Sequence, residues 1–86
     1  MMVDTVSGIQ EFASAARRHI DLSVRVVPGP PLQVLVRNRF SETLRETVTC
    51  SEEGAFVTSW GYRLGTVDNV RDAAARLAYL MAALPA

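Results

Sequence analysis

The chain predicts a two-layer α+β domain of order α-β-β-β-β-α, a four-stranded antiparallel meander with both helices on one face. Three observations lead there. From Asp68 to Leu84, apolar side chains recur at Val70, Ala73, Ala74, Leu77, Leu80, Met81 and Leu84, the i, i+3, i+4, i+7 stripe of a helix face. Between Leu22 and Trp60 run four short alternating or β-branched segments, interrupted by Pro, Gly and charged turns. The connections between them are short enough that successive strands pair as antiparallel neighbours. A helix of about 17 residues spans roughly 25 Å, close to a strand of about seven residues, so both helices fit across one sheet face.

The first helix is expected from about Asp4 to His19, with Val6, Ile9, Phe12, Ala13, Ala16 and Ile20 as its stripe and Asp4, Glu11, Arg17 and Arg18 in solvent. Gly8 lies inside it and costs about 1 kcal/mol against Ala unless that position permits close packing. Leu22–Val26 alternates strictly and ends at Pro28-Gly29-Pro30-Pro31. Leu32–Arg37 and Leu44–Cys50 follow as the second and third strands, joined by a turn over Asn38–Thr43. Ser51-Glu52-Glu53-Gly54 reads as a tight hairpin with Gly54 in the left-handed region, closing a type I turn with a bulge. The fourth strand runs from Ala55 to about Trp60. Gly61-Tyr62-Arg63-Leu64-Gly65 reads as a turn leading to the last helix, which Asp68 caps and Pro85 closes.

At 86 residues the chain is one domain, residues 1–86, that buries only about 60% of its unfolded surface. Nine basic residues, all Arg, balance nine acidic ones, so no overall field draws it to nucleic acid or an anionic membrane. The single cysteine, Cys50, excludes an internal disulfide and a multi-cysteine zinc site and suits a reducing compartment, with cytoplasm as the expected location. No signal-like leader and no run approaching the roughly 20 apolar residues of a membrane span is present. The expected protein is soluble and unprocessed.

Catalytic patterns are missing: no G-x-S-x-G, no phosphate-binding glycine loop, no H-x-x-x-H and no carboxylate pair with a base. His19 reads as a polar residue at a helix end. Cys50 reads as a small strand hydrophobe rather than as the partner of His19 in a thiolate pair. The expectation is a non-enzymatic protein without a cofactor or metal.

Two contact surfaces are legible. In the fourth strand Phe56, Thr58, Trp60 and Tyr62 share one parity: facing the helices they fill the core, and facing outward they form an aromatic contact patch in which Phe56, Trp60 and Tyr62 are the candidate protein contacts. In residues 22–45, Arg25, Arg37, Arg39 and Arg45 stand against Glu42 alone, with Phe40 among them. This is a candidate polyanion surface, although no RNP-like motif, helix-turn-helix or basic helix accompanies it, and Glu46, Glu52 and Glu53 on the next hairpin counter it. Apolar residues also occupy both strand parities: Val24, Val26, Leu32, Val34, Val36 and Val48 on one, Val27, Leu35 and Val57 on the other. Two helices cover only one face of a sheet.

The segment Glu46-Thr47-Val48-Thr49-Cys50, then Phe56 with Ser59-Trp60-Gly61, then Gly65-Thr66-Val67-Asp68 opening an Ala-rich helix, resembles short uncharacterised actinobacterial proteins over about the C-terminal half. That family implies no activity, and the element order is similar to small secretion-chaperone-like and adaptor folds only at the level of the fold. The expected function is a protein-binding module, an adaptor, chaperone-like or regulatory accessory protein, that self-associates as a homodimer or binds another protein on the uncovered face or along a sheet edge, with Trp60 or Tyr62 as anchor. The alternative is a nucleic-acid-associated regulator that uses the arginine hairpin.

Overall fold

The computed structural model describes residues 4–41 and 43–83. The elements are α1 (Thr5–Ala16), β1 (Leu22–Val27), β2 (Gln33–Asn38), β3 (Arg45–Cys50), β4 (Ala55–Thr58), β5 (Arg63–Thr66) and, after one 3-10 turn over Val67–Asn69, α2 (Val70–Ala83). The strands form one antiparallel sheet in chain order, β1-β2-β3-β4-β5. The α+β class and the meander follow the expectation, and the first three strands fall within a residue of their expected limits. The sheet has five strands rather than four. Arg63–Thr66, expected inside a turn, pairs with β4, Val57 lying opposite Arg63 and Ala55 opposite Thr66.

The reason is a repeated hairpin. At Ser51–Ala55 the Ser51 N–H donates to Ala55 O (2.8 Å), the Gly54 N–H to Ser51 O (2.9 Å) and the Ala55 N–H to Ser51 Oγ (3.1 Å). At Thr58–Tyr62 the same three bonds recur: Thr58 N–H to Tyr62 O (2.9 Å), Gly61 N–H to Thr58 O (3.0 Å), Tyr62 N–H to Thr58 Oγ1 (3.0 Å). Gly54 and Gly61 hold φ of 86° and 89°, which an L side chain rarely adopts. The fourth strand therefore stops at Thr58, and the chain reverses through Ser59 and Trp60.

Both helices pack on one parity of the sheet and on each other. Val34, Val36, Val48, Phe56 and Leu64 are fully buried against Ile9, Phe12, Ala13 and Ala16 of α1 and Ala73, Ala74 and Leu77 of α2. The Phe12 and Phe56 rings meet at 4.9 Å. Close approach depends on small residues. A Cβ on Gly8 would lie 3.2 Å from Cys50 Sγ and from Val67 Cγ1, and one on Gly65 would lie 3.0 Å from Ala73 Cβ. Gly8 thus exchanges helix propensity for contact.

The helix ends differ from expectation. α1 stops at Ala16, because Arg18 and His19 turn back on Ala15 and Ala16 in tighter bonds of 3.2 and 3.0 Å, and Ile20 leaves the stripe with 81% exposure. Asp4 caps α1, accepting from the Ser7 N–H and hydroxyl (3.1 and 2.9 Å), and these bonds hold its carboxyl below the usual range. For α2 the cap is Asn69, whose Oδ1 accepts from the Asp72 N–H at 3.1 Å, while Asp68 lies within the preceding 3-10 turn. The expected roles of Leu84 and Pro85 lie outside the described residues.

Candidate functional site: the uncovered sheet face

Among the described residues no helix lies on the alternate parity of the sheet. Ser23, Arg25 and Val27 on β1, Gln33, Leu35 and Arg37 on β2, Arg45, Thr47 and Thr49 on β3, Val57 on β4 and Arg63 on β5 are all exposed or half-buried, while Ala55, in the parity of Val57 on β4, is buried. The pairing register places them in rows. Ser23, Arg37 and Arg45 form the row nearest the β2–β3 turn, Arg25, Leu35 and Thr47 the next, and Val27, Gln33, Thr49, Val57 and Arg63 the third. Leu35 is at the centre, with arginines diagonal to it or beside it.

The candidate polyanion residues mostly gather here. Arg25, Arg37 and Arg45 lie on this face, and Arg37 is directly opposite Arg45. Arg39 lies just past the end of β2, where its N–H donates to Asp21 O (2.8 Å) and its Nε to Leu22 O (3.2 Å), tying the β2–β3 turn to the start of β1. Ser23, Arg37, Asn38, Arg39 and Ser41 line a hollow of about 210 Å³ beside Arg37. Arg63 is not legible in the sequence as part of this surface, because Gly61 and Gly65 around it have the pattern of a turn.

The candidate aromatic contacts are not brought together as one patch. Phe56 is fully buried in the core and is unavailable as a contact. Trp60 is 62% exposed on the second hairpin turn, and Tyr62 is half-buried against the core. The two rings stack at 5.1 Å and 27°. The turn that ends at Gly61 reverses the chain, and beyond it position no longer alternates with face as it does along β4.

What holds Trp60 is Glu46, on the helix-bearing side of β3 in the parity of Val48. Its Oε1 accepts from the Thr47 N–H (2.8 Å), the Ser59 N–H (3.1 Å) and the Ser59 hydroxyl, and its Oε2 from the Trp60 indole N–H (2.6 Å). Partial burial on its own raises this carboxyl, but the hydrogen bonds from Ser59, Thr47 and Trp60 outweigh it and leave the group below the usual glutamate range. The sequence suggested that Glu46 counters the arginines. Instead it faces away from them, and its partners lie 13 and 14 residues along the chain, with no local pattern to reveal them.

The thiol and the imidazole are apart. Cys50 lies against Gly8 near the start of α1, and His19 follows the end of that helix, at least about 12 Å along its axis. Burial pushes the Cys50 thiol up, which lowers its thiolate fraction at neutral pH. Among the described residues no three His, Cys, Asp or Glu side chains gather as metal ligands, and no helix is long and apolar enough to cross a membrane. No family model, curated protein or solved structure matches the chain.

Proposed function

We propose that the chain is a non-enzymatic protein-binding module and that its uncovered sheet face is the docking surface. The observation carrying this reading is that Val27, Leu35 and Val57 sit half-buried on the side that no described helix covers. An antiparallel sheet with one face in water ordinarily alternates apolar inside with polar outside. Here the core on the other side is already filled by Val34, Val36, Val48, Phe56 and Leu64, so these three aliphatic residues are surplus to folding. A partner that covers them gains their burial.

The occupant is a different protein rather than a second copy. A two-fold axis through this face would set Arg25, Arg37 and Arg45 against the same residues of the copy, and like charges across an interface cost several kcal/mol. The half-buried free thiol fits a reducing, cytoplasmic setting.

Capture from an extract of the native host, followed by mass spectrometry, tests the reading. The expected result is a small set of proteins retained by the wild type and by Gln10→Ala, on the exposed face of α1, and lost with Leu35→Asp. Equal retention by Leu35→Asp contradicts it.

A further inference from the structure

The uncovered face carries charge of one sign. The five strands contain four arginines, Arg25, Arg37, Arg45 and Arg63, and all four lie on this face. They contain one carboxylate, Glu46, which lies on the other side with both oxygens occupied. Among the described residues the only ion pair is Arg76 with Asp72 on α2, so no described carboxylate answers any of the four.

Arg37 and Arg45 face each other across β2 and β3. Directly opposed like charges destabilise an antiparallel pair. Arg25 is one strand across and one row along from Arg37, roughly 8 Å away by sheet geometry. Charged residues on edge strands guard against sheet-to-sheet aggregation, and that accounts for Arg25 on β1 and Arg63 on β5. It does not account for Arg37 and Arg45, which lie on interior strands with neighbours on both sides.

Resting on the reading of this face as a docking surface, we propose that the partner presents an acidic segment. At least two Asp or Glu side chains meet Arg25, Arg37 and Arg45, and aliphatic side chains cover Leu35 and Val57. A carboxylate between Arg37 and Arg45 turns their repulsion into two charge-assisted bonds, and the planar guanidinium fork matches a carboxylate in bidentate fashion. The hollow lined by Ser23, Arg37, Arg39 and Ser41 offers a second carboxylate two arginines and two hydroxyls.

Phosphates would satisfy the same arginines, but sequence-tolerant single-strand binding draws on bases stacked over aromatic rings. The strands put no aromatic residue on this face. Phe56 is in the core, Trp60 and Tyr62 stack on each other, and Phe40 stands past the strand end on the β2–β3 turn. Aliphatic Val27, Leu35 and Val57 fit protein side chains better than bases.

The test is fluorescence anisotropy with three dye-labelled probes: a short peptide of repeated Glu-Leu-Ser, the same peptide with Gln for Glu, and oligothymidylate of equal length. Wild type is compared with Arg37→Gln/Arg45→Gln at about 50 and 200 mM salt. Both substitutions are at exposed positions and remove a repulsive pair, so the variant keeps its fold, as circular dichroism will show. The expected result is binding of the Glu peptide, weakened about tenfold in the variant and weakened again by salt, with no binding of the Gln peptide at the same concentrations. Absence of Glu-peptide binding, equal binding of both peptides, or no effect of the arginine substitutions overturns the acidic-segment inference. Oligothymidylate binding tighter than the Glu peptide and lost in the variant overturns it in favour of nucleic acid. If the host-extract capture still depends on Leu35 when the Glu peptide fails, the docking surface stands and only its acidic chemistry falls.

Discussion

Glu46 carries the β4–β5 hairpin on two oxygens, and its titration is therefore visible in the fold. Its folded-state ionisation lies below the unfolded value. The contribution of its hydrogen bonds is fully present above the ordinary glutamate value and is lost as pH falls through the lower folded value. Trp60, the single tryptophan, reports this directly. Its fluorescence is expected to change in acid with a midpoint below the ordinary glutamate value, and Glu46→Gln abolishes that step while lowering stability by about 1–2 kcal/mol. A midpoint above the ordinary value would show that burial, not hydrogen bonding, governs the group. Cys50 gives a second test at the same scale. Burial pushes its thiol up, so iodoacetamide at neutral pH is expected to modify the folded chain several-fold more slowly than the urea-unfolded chain, measured by intact mass.

Hairpins decide the sheet at the level of elements. At Gly61 an added Cβ meets nothing within 4 Å, yet φ is +89°, so the cost of Gly61→Ala is conformational alone. About 1–2 kcal/mol is expected, a fall in Tm of about 4–8 °C per kcal/mol, measured by thermal denaturation. Gly65→Val acts through contact instead, forcing β5 away from Ala73, and is expected to destabilise by about 1–3 kcal/mol. The same residues show where the sequence was readable. Ser51-Glu52-Glu53-Gly54 is legible as a turn because two glutamates and a glycine interrupt the apolar pattern. Thr58-Ser59-Trp60-Gly61 makes the same turn, with a hydroxyl residue three before glycine, but Trp60 continues the strand parity and conceals it. The helix stripes were legible because burial follows a 3.6-residue period, and the end of α1 was not, because Ile20 is apolar and exposed. The arginine face was half legible: Arg25, Arg37 and Arg45 are close in sequence, whereas Arg63 joins them only through the strand that the hidden turn creates.

At the scale of the whole molecule, the described residues build one core and leave one sheet face open. Among the described residues, every buried apolar side chain but Ala55 belongs to a single cluster that joins both helices to one sheet face, and the opposite face keeps four arginines around aliphatic residues. That charge pattern argues against stacking with a copy. Sedimentation at micromolar concentration is expected to show no dimer that depends on Leu35. A dimer dissolved by Leu35→Asp would mean that the face accepts its own image.

Photo-cross-linking in the native host probes the docking face itself. With benzoylphenylalanine at position 35 on the uncovered face, or at position 10 on the exposed side of α1, a discrete adduct with another protein is expected from position 35 and none of that mass from position 10. The same adduct from position 10, or no protein adduct from position 35, would contradict docking on that face.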